Sequence, residues 1–186
     1  ESAMLAADSR SRHDRRHHNL VMLGLAKSGD FETLTKNLTN LVDDDNKVWG
    51  ETRYCENNTV NMILTMYKRR ASQNGISVKI SAKASGSLAV PPQDLVVVIA
   101  NLFENAINEV ANLKSKEGYI DIQIKDSPER LLIKIDNPCR ANLTFDENLY
   151  GIGIRSVIST TIKYEGMYDF TAEDGVFSAK IILNLK

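Results

Sequence analysis

The chain holds three histidines, His13, His17 and His18, all within six residues. Arg10, Arg12, Arg15 and Arg16 surround them, and Asp14 follows His13 directly. Imidazole offers a nucleophile or a proton carrier at neutral pH without a permanent charge. A solvated helix face needs neither, and Lys and Glu would serve it better. His17 lies one helical turn beyond His13 and so faces the same way. A zinc site built on His13 and His17 would need a third protein ligand, and none lies nearby in the sequence. His17 and His18 otherwise read as polar helix surface.

A second set of residues has a different chemistry. Asn101, Asn105, Asn108 and Asn112 recur at spacings of four, three and four, which places them on one face of a helix. Asn is a poor helix former because its short amide competes for the backbone. A face selected for neutral oxygen and nitrogen groups suits a hard cation carrying phosphates, and Mg²⁺ takes oxygen ligands. The plain alternative is a solvated face that happens to be rich in Asn. A third feature is "YGIGIRSV", residues 150–157, which places Gly151 and Gly153 just before a helix. Backbone N–H groups and the helix dipole can meet an anion there, although a turn requiring positive φ accounts for the glycines equally well. No Gly-Lys-Ser/Thr follows, and the third glycine and preceding parallel strand of a dinucleotide fingerprint are missing.

These groups need elements to position them. Residues 1–29 read as one helix with Met4, Leu5, Leu20, Val21, Leu23 and Leu25 as its apolar positions. No hydrophobic residue occurs between Asp8 and Asn19. A break at "KSGDF" leaves Asp30 to cap a second helix running to about Asn46, along which Phe31, Leu34, Leu38, Leu41 and Val42 keep helical spacing. Such a hairpin has more apolar stripe than it can bury alone, and pairing with a second copy as a four-helix bundle would cover it. A homodimer is therefore predicted.

The polar stretch 43–58 contains Gly50 and marks the boundary between a helical region at 1–50 and a second domain at 54–186. There the pattern predicts a helix at 58–74 ended by Gly75, a strand at 76–84 and a long helix at 91–114. A hairpin then turns around Ser127–Pro128, a Gly-led helix follows, and a closing hairpin turns at Asp174–Gly175. The fold class is α+β: an N-terminal helical hairpin, then a two-layer α/β sandwich of a mixed five-stranded sheet and three helices.

Composition bounds the function. With 42% hydrophobic and 25% charged residues and a net charge of -1, the chain reads as soluble and globular, with no nucleic-acid partner. The arginine cluster lacks interleaved aromatics. Cys55 and Cys139 lie far apart without metal-ligand spacing and read as free thiols of a reducing compartment, the cytoplasm. No apolar run is long enough to span a membrane. The chain opens on Glu1 inside an apparent helix, so it is expected to be cut from a longer protein, with any membrane anchor upstream.

Three quoted stretches together resemble a known family. "NLFENAINE" resembles the N box of the GHKL (Bergerat-type) ATPase superfamily shared by gyrase, the heat-shock-90 chaperones, a mismatch-repair ATPase and sensor histidine kinases. "GIGIRSV" resembles that superfamily's second glycine box. "SRHDRRHHNL" resembles the phosphoacceptor box of quorum-sensing, peptide-receptor histidine kinases, and "YCENNTVNMIL" and "GVFSAKIIL" also look like members of that group. The resemblance covers essentially the entire chain.

The resemblance implies that Asn101 and Asn105 hold Mg²⁺ and the ATP phosphates. Asn108, on the same helical face by its spacing, is expected to border the nucleotide, and the resemblance assigns Gly151 and Gly153 to the lid end that meets the phosphates. Asn137, ending "LLIKIDN", falls where most of the superfamily has the Asp that binds the adenine amino group. His13 matches the histidine that receives the γ-phosphoryl group, with Asp14 as its acidic neighbour. Asp14 can take the proton from the second ring nitrogen or orient that nitrogen, and the arginines attract the phosphoryl group. The expected partner is a response regulator whose aspartate takes the group onward.

The sequence also departs from the family. The first glycine box reads "NPCRA", with Pro138 and Cys139 in place of glycine, and the segment from Pro138 to Tyr150 makes a short lid. An Asn can still accept from the adenine amino group, and weak ATP binding is expected. The alternative reading is a signalling scaffold that binds nucleotide with little or no catalysis.

Overall fold

A computed structural model of the chain describes residues 19–41, 52–113, 118–140 and 151–185. The chain divides into two compact units at the Trp49–Gly50 junction. In the first, residues 19–28 are helical (α1), Gly29 turns the backbone with φ 75°, and Phe31–Leu41 form α2. Asp30 is the cap that its position predicts, because its Oδ1 accepts a hydrogen bond from the Thr33 N–H at 3.1 Å. Leu20, Val21, Leu23 and Phe31 are exposed. The expected helix over 1–29 is described only from residue 19, and His13, Asp14, His17 and His18 lie outside the described residues.

The second unit runs α3 (Asn58–Gln73), β1 (Ser77–Lys83), α4 (Pro92–Leu113), β2 (Tyr119–Asp126), β3 (Arg130–Pro138), α5 (Ile152–Lys163), β4 (Met167–Glu173) and β5 (Val176–Asn184). Its five strands form one mixed sheet in the order β1-β2-β3-β5-β4. β1 and β2 are parallel, and the remaining neighbours are antiparallel. The two-residue turn between β4 and β5 has Asp174 at φ 51° and Gly175 at φ 76°, the backbone a tight hairpin requires.

Alternation explains the layers. Ile120, Ile122 and Ile124 on β2, Leu131, Ile133 and Ile135 on β3, and Ala179, Ile181 and Leu183 on β5 are buried in register with one another. Their intervening neighbours on the other face include Asp121, Lys134 and Asp136, where Lys79 of β1 pairs with Asp121 at 3.2 Å and Lys134 with Asp136 at 2.7 Å. A sheet with one apolar face needs one layer of cover. α4 supplies most of it through Leu95, Val98, Ile99, Leu102, Phe103, Ala106, Ile107 and Val110, all buried. α3 adds Val60, Ile63 and Leu64, with Tyr67 stacked on Phe103 at 5.4 Å, and α5 adds Val157. α3 starts at a buried cap, Asn57, whose Oδ1 accepts from the Val60 N–H at 3.0 Å and whose Nδ2 donates to the Ser85 carbonyl at 3.3 Å.

Candidate functional site

The asparagine stripe of α4 divides in two. Asn101 and Asn105 are half-buried, whereas Asn108 and Asn112, one to three turns further on, are exposed. Asn101 is fixed by its own helix, its Nδ2 donating to the Val97 carbonyl at 2.6 Å, so its Oδ1 is turned outward. There it meets α5. A Cβ on Gly153 would stand 2.8 Å from the Asn101 Oδ1 and 3.4 Å from its Cγ, closer than a methyl group can approach an amide oxygen. Gly153 is therefore glycine because Asn101 occupies the space a side chain would take.

This corrects one expectation. Gly153 lies inside the first turn of α5, which begins at Ile152, and only Gly151 precedes the helix. Gly151 is the N-cap with extended φ -64° and ψ 168°, and it makes no side-chain cap bond. Among the described glycines, positive φ occurs at Gly29, Gly75 and Gly175, so a left-handed turn does not explain the G-x-G. The first-turn N–H groups of α5 have no carbonyl partner within the helix and so can meet an anion.

β3 brings the third component. Its buried row Leu131, Ile133, Ile135 ends in Asn137, a polar residue with no exposed surface. Asn137 Nδ2 donates to the Pro138 carbonyl at 2.8 Å, and its Oδ1 is buried without a partner. Asn105 Nδ2 and Glu109 Oε1 are in the same condition. Each buried polar atom without a partner costs on the order of 1–3 kcal/mol, and native interiors avoid them. Cys139 follows Asn137 on the same side of the chain and is also buried. Burial pushes its thiol above the ordinary range, and the negative charge of Glu109 pushes it further.

Spacing alone did not disclose two features. One is Glu109, a turn beyond Asn105, whose sequence signal is a carboxylate that continues the asparagine face. The other is Glu104, beside Asn105 in sequence, which pairs with Arg70 of α3 at 3.0 Å, both side chains about half exposed, a contact worth little by itself.

The donor set fits Mg²⁺ and a triphosphate. Asn101 Oδ1 is a neutral hard oxygen, Asn105 Nδ2 is an unused donor, and the start of α5 adds N–H groups beside them. Asn137 Oδ1, an acceptor, stands at the end of β3. The arrangement suits a ligand whose one end is anionic and whose other end carries a donor. Among the described residues no group of three or more His, Cys, Asp or Glu is placed to hold a metal ion, so the amides carry this fit.

A mixed sheet covered on one face by helices, with Asn101 of the long helix against Gly153 of the next, is the two-layer sandwich expected from the sequence. Residues 90–184 match the GHKL domain, and the chain belongs to that family. The chain is 32% identical over 105 residues to the "Probable C4-dicarboxylate sensor kinase" of Bacillus subtilis (strain 168), covering 54% of this chain. It spans only 20% of that relative's length. Its fold is similar to the Acinetobacter baumannii histidine kinase AdeS (TM-score 0.57, 14% identity, covering 94% of this chain and 98% of that one). The histidine kinase domain of a blue-light-activated kinase from Erythrobacter litoralis is also similar (TM-score 0.57, 15% identity, 68% and 59% covered). At these identities the likeness is one of fold.

Proposed function

We propose that this chain is the catalytic core of a sensor histidine kinase, which binds Mg-ATP between α4, the end of β3 and the start of α5. It transfers the γ-phosphoryl group to His13 and passes it to an aspartate of a response regulator. The observation that carries this reading is the Asn101–Gly153 apposition, which brings the two sequence motifs together. In this reading residues 1–50 form the dimerisation and phosphoacceptor region and 54–186 the ATP-binding domain. The parent protein is anchored at the cytoplasmic face of a membrane; among the described residues no helix is long and apolar enough to cross one.

The residues have separate tasks. Asn101 and Asn105 orient Mg²⁺ and the phosphates, with Asn108 at the solvent edge of the same face. Gly151 and Gly153 let the first-turn N–H groups of α5 approach the phosphate oxygens. Asn137 Oδ1 accepts from the base. His13 attacks through an unprotonated ring nitrogen while Asp14 holds the other, and nearby arginines offset the charge of the transferring group. Bound Mg-ATP supplies the phosphoryl group and the divalent charge that neutralises it. The histidine box is the support for the peptide-receptor subtype.

Incubation with γ-labelled ATP and Mg²⁺ tests this directly. Label that is acid-labile, alkali-stable, and lost in both His13→Gln and Asn105→Ala is the expected result. Label that persists in His13→Gln would refute the phosphoacceptor assignment. A second reading, a nucleotide-binding scaffold, is favoured by Pro138 and Cys139 standing where the family has a glycine box. It predicts a nucleotide-dependent rise in melting temperature with no acid-labile label.

A further inference from the structure

Glu109 has no task in the reading above. Its Oε1 is buried with no hydrogen-bond partner, a costly state for a carboxylate oxygen unless something outside the protein completes it. Two other carboxylates with an orphaned oxygen, Asp121 and Asp136, lie on the open face of the sheet, and each is already held by a lysine through its second oxygen. Glu109 differs in place. Along α4 it follows Asn101 and Asn105 at successive turns, on the side that also leaves Asn105 Nδ2 unpartnered. From Asn101 to Glu109 the helix rises about 12 Å, away from the end where Gly153 and the α5 N-terminus await phosphate. α4 packs on β3, and Glu109 is near enough to the end of that strand for its charge to raise the Cys139 thiol, two residues past Asn137. It therefore lies at the nucleoside end of the cleft, where a carboxylate can only accept.

We propose that Glu109 is a nucleoside-reading residue whose Oε1 accepts a hydrogen bond from an N–H or O–H of the bound nucleotide, adding selectivity beyond that of Asn137. The inference rests on the nucleotide reading of the site. The donor is either the exocyclic amino group of the base or a ribose hydroxyl, and both share the chemistry that completes a carboxylate.

The experiment uses the full chain with Cys55→Ser, which leaves Cys139 as the single thiol. Titration calorimetry compares ATP, purine riboside triphosphate (no amino group), 2′-deoxy-ATP and 3′-deoxy-ATP on Glu109, Glu109→Gln and Glu109→Met. Glu109→Met is expected to lose about tenfold or more in ATP affinity, and Glu109→Gln, which keeps an acceptor oxygen, to retain most of it. The loss should vanish for the analogue that lacks the donor: purine riboside triphosphate for the amino group, or one of the deoxy nucleotides for the sugar. The nucleotide-free melting temperature of Glu109→Met should match or exceed that of the parent, because a buried unpartnered oxygen has been removed. Equal affinities in all variants, or an equal loss with every analogue, would overturn the proposal. Alkylation of Cys139 separates this failure from failure of the site itself. If Mg-ATP slows alkylation but Glu109→Met binds normally, only the role of Glu109 is wrong. If Mg-ATP neither binds nor protects Cys139, the nucleotide reading falls as well.

Discussion

At the scale of single residues, the site depends on what a glycine leaves out. Gly153 and Asn101 are incompatible with a β-carbon between them, so Gly153→Ala must move either the amide or the start of α5. Alanine favours helix by up to about 1 kcal/mol over glycine, which offsets part of the clash. The expected outcome is a melting temperature within a few degrees of the parent and a loss of about tenfold or more in Mg-ATP affinity by calorimetry. Unchanged affinity would mean that the Asn101 position is not used. The stripe of asparagines was legible in the sequence because helical spacing fixes which residues share a face. Its division into a half-buried pair and an exposed pair was not, because depth is set by what packs above each turn. Asn137 was reached by resemblance alone. Read locally, it only ends an alternating strand, and its orphaned Oδ1 depends on a carbonyl taking its Nδ2.

At the scale of elements, the question is what keeps α5 against α4 so that Gly153 meets Asn101. The sheet was readable from alternation, and the hairpin turn at Asp174–Gly175 from its residue types. The clamp between the helices was not, since its partners are separated by 70 positions. Asp94, in the first turn of α4, accepts hydrogen bonds from the Tyr164 hydroxyl at 2.6 Å and from Lys163 at 2.7 Å, both at the far end of α5. The acid lies at a helix start and the base at a helix end, so both dipoles favour the pairing. Lys163 and then Tyr164 hold the Asp94 carboxyl below its ordinary range. Burial, then Asp94, pushes the Tyr164 hydroxyl above its own. A depressed acid contributes stability above its unfolded pKa and loses it as pH falls through the folded value. The raised tyrosine contributes below its unfolded pKa and loses this as pH rises through the folded value. The clamp is thus closed between about pH 4 and 10. Tyr164→Phe should cost about 1–2 kcal/mol by denaturant unfolding at pH 7, and Asp94→Asn should flatten the loss of stability below pH 4. An Asp94→Asn acid limb as steep as that of the parent would assign that limb to other carboxylates.

At the scale of the whole molecule, the two compact units have different relations to water. Unit two has a buried apolar core between its sheet and α3, α4 and α5, while Ile152, Ile162 and Met167 stay exposed. Unit one, as a single copy, leaves Leu20, Val21, Leu23 and Phe31 between 49% and 64% exposed. Solitary surface leucines are ordinary, but four large exposed apolar side chains on two consecutive helices suit an interface between copies of the chain. The residues proposed to hold the nucleotide all lie in unit two, so assembly and nucleotide binding are expected to be separable. Light scattering on the full chain is expected to give a dimer at micromolar concentration. Leu20→Lys with Leu23→Lys should give a monomer, because an exposed ammonium costs nothing in water but must be desolvated in a helix bundle. The same variant should keep the parent's ATP-induced rise in melting temperature. If the parent is a monomer, or the double lysine variant still pairs, the exposed leucines do not form the dimer interface.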